Sequence, residues 1–260
     1  MQMLTSSFIF LDGIGRQRER TLWRRGIAHW DDFLGSTKIA GISSTRKGTL
    51  DAQLETARER LKRLDSSYFA DHVPARDAWR CLGDFREGAV YLDIETTGIS
   101  ASSPITVVGM FDGKRMHTLV KNLNLTRSAL AGILSSVKLI VTFNGSSFDL
   151  PMIESQFPGT VPNIPHVDLK HPLRRLGLTG GLKRIERELD IERDRRVEYM
   201  TGQDAVYLWR LWEREGKGNA LELLKEYNTY DCRNLAALAS YSYSGLRKQV
   251  FESSLPSGKG

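Results

Sequence analysis

Apolar residues recur at helical spacing along residues 49–64. Leu50, Leu54, Ala57, Leu61 and Leu64 form one stripe, and Arg58, Glu59, Lys62 and Arg63 fall on the water-facing side. Thr49 stands where the N-cap of that helix is predicted. Upstream, Arg16–Arg25 reads as a second helix, preceded by Phe8–Gly15 and followed by Gly26–Leu34. From Ser66 to Glu87 no period is sustained and Pro74 interrupts the run, which predicts an irregularly packed connector.

The pattern changes at Gly88. Ala89–Ile94 and Pro104–Phe111 are strand runs, and Asp112-Gly113 between the second run and Lys114–Val120 is a hairpin signal, so three strands are predicted as a meander. Thr126 is placed to cap a short helix ending at Leu134, Lys138–Phe143 supplies a fourth strand, and His166–Leu169 a weaker fifth. Short helices follow, then a long one from about Tyr230 to Arg247. The organisation so predicted is a small basic helical region at 1–65, a connector at 66–87, an α/β domain at 88–250 and a flexible tail at 251–260.

Composition narrows the class. The 260 residues are 40% hydrophobic and 26% charged, the mix of a globular chain with a real core rather than a disordered, collagenous or membrane-spanning one. Apolar stretches such as Phe8–Leu11 and Leu139–Val141 are too short to cross a bilayer, and no secretory signal is read at the start. Two cysteines, Cys81 and Cys232, make no disulfide scaffold and point to a reducing, cytoplasmic setting. Lys and Arg number 37 against 31 Asp and Glu, a net charge of +6 that tilts the protein towards an anionic partner.

The informative acids are those placed where apolar strands end. Asp93 and Glu95 bracket Ile94, and alternation along a strand sends both to one face, where they repel unless cations lie between them. Taken alone, the pair equally suits a strand turning polar as it leaves the core. After the fourth strand comes Asn144-Gly145-Ser146-Ser147-Phe148-Asp149, a tight turn opening a helix; Asp149 singly reads as a helix N-terminal charge. Tyr227 and Asp231 lie four apart, one helical turn, so both project from one face.

As an ordered set these strings are specific. Asp-x-Glu on a first strand, Asn-x-x-x-Phe-Asp after a later strand and Tyr-x-x-x-Asp on a late helix resemble the DEDD 3′–5′ exonucleases of the ribonuclease H-like superfamily, in their tyrosine-bearing (DEDDy) subclass. Asn144–Pro151 resembles the second exonuclease motif of family B DNA polymerases. Thr179–Glu186 and Gly202–Trp209 resemble strings of the YprB-like predicted ribonuclease H-like family. The resemblance runs from Gly88 to about Leu246.

It implies a mixed β-sheet flanked by helices, and a metal-dependent 3′–5′ exonuclease acting on a single-stranded or frayed nucleic-acid end. It also implies two divalent ions, Mg²⁺ or Mn²⁺, about 3.5–4 Å apart on Asp93, Glu95, Asp149 and Asp231. By analogy Asp93 bridges both ions, Glu95 and Asp231 serve the nucleophile side, and Asp149 serves the leaving-group side. Tyr227 orients the attacking water or contacts the phosphate. DNA and RNA both stand as substrates, and no protein partner is legible. Retained fold without catalysis, or internal cutting by the same carboxylates, are the competing readings.

Several companions are candidate nucleic-acid contacts: Thr96 and Thr97 past the carboxylate pair, Asn144 and Phe148 at the turn, and Lys183 at a helix start. Each has a plain structural alternative, as turn, core or helix-start residues. Asp168 and Asp204 read as caps, and Trp209 and Trp212 as core. Gly13-Ile14-Gly15 entering the helix at Arg16 resembles the hairpin of a helix-hairpin-helix, in which backbone N–H groups meet a phosphate. Few residues precede Phe8, so the usual first helix is short or missing, and a helical cap packed on the core is the alternative reading of Gly13, Gly15 and Arg16.

Overall fold

The structure, a computed structural model, describes residues 2–100 and 102–256. Four helices lead the chain: α1 (Arg16–Arg24), α2 (Trp30–Gly35), α3 (Ser44–Lys62) and α4 (Ser66–His72). The α/β portion follows with β1 (Ala89–Thr96), β2 (Ile105–Phe111), β3 (Met116–Val120), α5 (Arg127–Leu134), β4 (Leu139–Thr142), α6 (Asp149–Gln156) and β5 (His166–Asp168). It closes with α7 (Lys170–Arg175), α8 (Leu182–Glu188), α9 (Gly202–Glu215) and α10 (Gly218–Val250). The sheet order is β3-β2-β1-β4-β5, with the β1–β3 meander antiparallel and β4 and β5 parallel to β1. This is the mixed, helix-flanked sheet of the ribonuclease H-like fold.

Alternation along β1 sorts its side chains between two cores. Val90, Leu92 and Ile94 pack with Leu130 and Leu134 of α5 and Met152 and Ile153 of α6. Ala89 and Tyr91 point the other way, into the core shared with Leu235, Leu238 and Ala239 of α10. Asp93 and Glu95 continue the α10-facing series. At Gly109, opposite Asp93 on β2, a Cβ would collide with Asn228 Oδ1 and Cys232 Sγ, so the bare glycine lets α10 lie close against the sheet.

Several expectations need correction. The helix predicted from Thr49 starts at Ser44: Ser43 Oγ caps Arg46 N–H at 3.3 Å, and Lys47 lies 4.9 Å over the Phe33 ring with Asp51 as its ion partner. Leu64, assigned to the apolar stripe, sits past the helix end at φ +51° and is exposed. The 66–87 segment is helical rather than irregular, with α4 and a 3-10 helix Ala75–Leu82 burying Trp79, Cys81 and Leu82. The last helix starts twelve residues earlier than predicted, because Asn228 and Asp231 interrupt its apolar stripe.

Residues 251–256 are ordered against the core where a loose tail was expected. Phe251 is buried with its ring centroid 5.2 Å from that of Trp23, and Ser254 is buried; residues 257–260 lie outside the described residues. Cys81 and Cys232 are free and buried. Among the described residues no helix is long and apolar enough to cross a membrane.

Candidate active site

The carboxylates converge because β1, α6 and α10 meet at the C-terminal end of β1. Asp93 and Glu95 come from its last turns of alternation, and the register with β2 shifts between Glu95 and Thr96. Such a bulge bends the strand and ends its pairing. Asp231 projects from mid-α10 on the same face, and oxygens of Asp93, Glu95 and Asp231 lie within 4.8 Å of one another. Asp149 opens α6, on the opposite face, and its Oδ1 accepts a 3.1 Å hydrogen bond from the Ile94 N–H between the two strand acids. All four, with Tyr227, line one cleft of about 1040 Å³.

This concentration of negative charge is costly without a cation. Burial, then the charges of Asp231, Glu95 and Asp149, push Asp93 well above the ordinary carboxylate range. Glu95 is raised in the same way, by burial and then by Asp231 and Asp149, and Asp149 is pushed up to about 7, chiefly by burial. Glu95 Oε1 is buried with no hydrogen-bond partner among the described residues. An all-oxygen donor set with an orphaned carboxylate oxygen fits a hard divalent cation such as Mg²⁺ or Mn²⁺.

The surrounding residues position the acids. Asn228, one residue after Tyr227, donates from Nδ2 to Asp93 Oδ2 at 2.8 Å and to the Asp93 carbonyl at 3.2 Å. Arg193 joins Asp231 to Glu186 through its guanidinium, with both contacts to Glu186 at 2.6 Å. Burial raises the Asp231 carboxyl and the Arg193 charge opposes that rise. Lys183 Nζ lies 4.2 Å from the Tyr227 ring centroid, without a hydrogen-bond partner among the described residues. Burial, then neighbouring Asp231, Glu95 and Asp93, push the Tyr227 phenol above its ordinary range.

Of the companions, Thr96, Thr97, Asn144 and Phe148 line the cleft, while Lys183 lies under Tyr227 instead. Asn144 adopts φ +66°, and its side chain accepts from Lys170 Nζ at 2.7 Å. Asp168 organises that turn: its carboxylate accepts from the N–H groups of Asn144, Ser146 and Lys170 and from the Ser146 hydroxyl. Burial pushes Asp168 up, but these bonds win and hold it below the usual range. Asp204 pairs with Thr201 in the capping box of α9.

Gly13, Gly15 and Arg16 are not among the cleft-lining residues. Among the described residues, only a 3-10 helix, Leu4–Ser6, precedes the hairpin-like turn. The Gly13 carbonyl accepts from Arg18, and Arg16 makes a bidentate contact with buried Asp77, Nε and Nη2 each within 3.2 Å. Arg16 is thus engaged with the protein's own carboxylate.

Sequence reading overlooked Asn228, Glu186 and Arg193, and one face of α9. Asn228 lay inside a string already singled out, but only the register of α10 against Gly109 turns it onto Asp93. Arg193 belongs to the charge run Glu192–Arg196, which reads as a solvated loop. On α9 the string Gly202–Trp209 stood out only as a resemblance and its tryptophan as core, while Gln203, Val206, Tyr207 and Arg210 line the cleft.

The family model RNase_H_2, described as RNase_H superfamily, matches residues 90–243, more than half of the chain, and the protein belongs to this family. No curated protein matches the sequence. Membership of this superfamily, together with the acidic triad, supports a nuclease that acts on nucleic acid with divalent cations.

Proposed function

We propose that the protein is a 3′–5′ exonuclease that removes nucleotides from single-stranded or frayed nucleic-acid ends. The observation that carries this reading is the convergence of Asp93, Glu95 and Asp231 within 4.8 Å, with Asp149 on the same cleft. Bound divalent cations supply an acidified water and charge neutralisation at the phosphate. Asp93, Glu95 and Asp231 are the residues that would hold one ion, and Asp93 with Asp149 a second.

The remaining work falls to the chain's own groups. Asn228 fixes the Asp93 carboxylate, and Arg193 fixes that of Asp231. Tyr227, kept protonated by its surroundings, donates a hydrogen bond rather than acting as a base, and so orients the attacking water or the phosphate. Thr96 and Thr97 line the cleft beside the β1 acids, which supports a contact to the terminal nucleotide.

The test uses 5′-labelled single-stranded DNA and RNA with Mg²⁺, Mn²⁺ or chelator, and the same oligonucleotides blocked at the 3′ end. The expected product is a ladder shortening from the 3′ end that requires metal. Losing even an outer partner of a metal ligand costs ~10–100-fold, so Asp93→Asn lowers the rate by more than ~100-fold. Cutting that persists on blocked ends replaces this reading with internal cleavage. Binding without metal-dependent turnover replaces it with a non-catalytic module.

A further inference from the structure

Helix α9 has two unlike faces. Ala205 and Trp209 are buried in the core formed with Val107, Leu224 and Tyr227, and Leu208 and Trp212 pack beside them. Gln203, Val206, Tyr207 and Arg210, spaced by three, one and three residues, lie along another face and line the same cleft as the carboxylates. Tyr207 is 59% exposed there, with its ring available to the cleft. Arg210 is exposed and makes no ion pair among the described residues, although Arg193 and Arg196 near the start of α9 both do. Among the described cleft-lining residues it is the one cationic side chain.

We propose that this face of α9 is a nucleotide-binding wall, with Tyr207 stacking on an unpaired base and Arg210 receiving a backbone phosphate next to the scissile one. The inference rests on the nuclease reading and names how its substrate is held. Four carboxylates repel a polyanion, so a strand entering the cleft needs positive charge in its lining, and Arg210 supplies it. An aromatic ring beside a phosphate-binding cation suits single strands of any sequence, because every base has a stacking face. A duplex end keeps its bases stacked on each other and offers none to Tyr207. A lone exposed tyrosine is ordinary on a protein surface. Here it shares one helix face with the cleft's cation.

The experiment compares wild type with Tyr207→Ala, Tyr207→Phe and Arg210→Gln. The probes are single-stranded oligonucleotides carrying 2-aminopurine at the 3′-terminal or either adjoining position, with a blunt duplex as control. Affinity and fluorescence are read with Ca²⁺ in place of Mg²⁺, with oligonucleotide integrity checked on a gel, and activity is read separately with Mg²⁺. Thermal midpoints of the variants establish that each is folded. Stacking predicts quenching at one probe position in wild type and Tyr207→Phe. In Tyr207→Ala it predicts loss of the quench and ~10-fold weaker binding. Arg210→Gln is expected to flatten the slope of log affinity against log salt by ~0.7.

Quench and affinity within twofold of wild type in Tyr207→Ala, or equal affinity for blunt duplex, overturns the proposal. Wild-type protein that neither binds nor degrades any oligonucleotide sinks the nuclease reading as well. Degradation by wild type with both sets of variants unchanged sinks only the assignment of α9.

Discussion

Asn228 shows how a single amide organises a charged site. Its Nδ2 holds both the side chain and the carbonyl of Asp93, while its Oδ1 is buried without a partner among the described residues. Outer-shell donors of this kind set the orientation of a metal ligand and are worth ~10–100-fold in metal affinity. Asn228→Ala is therefore expected to weaken Mn²⁺ binding by that factor in calorimetric titration while leaving the fold intact. The same cluster dictates a pH dependence. Asp149 has its pKa raised to about 7, and Asp93, Glu95 and Asp231 are also raised. A carboxyl whose folded pKa lies above its unfolded value favours the protonated native state. Its contribution is intact at low pH and is lost as pH rises from about 4 towards about 7. In chelator, the thermal midpoint should fall between about pH 4 and about pH 7, roughly the window between the two pKa values. Added Mg²⁺ or Mn²⁺ should abolish most of that fall by offsetting the repulsion. A midpoint that rises with pH in chelator would contradict this electrostatic account.

At the scale of elements, the site depends on how closely α10 lies on the β1–β2 pair. Gly109 permits that approach, and a Cβ there meets Asn228 Oδ1 and Cys232 Sγ. Overpacking of this kind costs roughly 1–3 kcal/mol. Gly109→Ala is expected to lose about that much in urea unfolding and to lose activity too, because the displaced residue is the one that holds Asp93. A variant with native activity would show that α10 can shift without disturbing the acids. Elements with a clean period were legible in the sequence: the strand meander, the Thr126-capped α5 and the β4 run all follow from alternation or capping chemistry. Elements whose polar residues are buried were not. α3 begins before its apolar stripe because Lys47 is buried on Phe33 with Asp51 as counter-ion. α10 reads as broken because Asn228 and Asp231 occupy core-facing positions for the sake of the site.

In the whole molecule, the N-terminal helices share one core with the sheet. That apolar cluster runs from Met3 through Trp23, Leu54 and Trp79 to Val141, Leu246 and Phe251. Polar ties join the same parts. Arg80 makes a bidentate pair with Glu19 at 2.7 and 2.8 Å, both side chains 1% exposed, and Glu19 also accepts from the Phe8 and Ile9 N–H groups. Removing one partner of a buried pair leaves the other charge stranded, at a cost of about 3–5 kcal/mol. Arg80→Met should lower the urea midpoint accordingly, with an unchanged m-value if the molecule still unfolds as one unit. Two separate transitions in the wild type would instead mark the helical region as an independent body. The sequence by itself determined the class of fold and singled out Asp93, Glu95, Asp149 and Asp231 with Tyr227, which line one cleft. Strand alternation, one-turn helical spacing and ordered motifs are local properties of a chain. Only the tertiary structure decided that Arg16 faces Asp77, that Lys183 lies under Tyr227, that Asn228 and Arg193 hold Asp93 and Asp231, and that the outer face of α9 lines the cleft. Those facts depend on which surfaces of distant elements meet, and no local pattern encodes that.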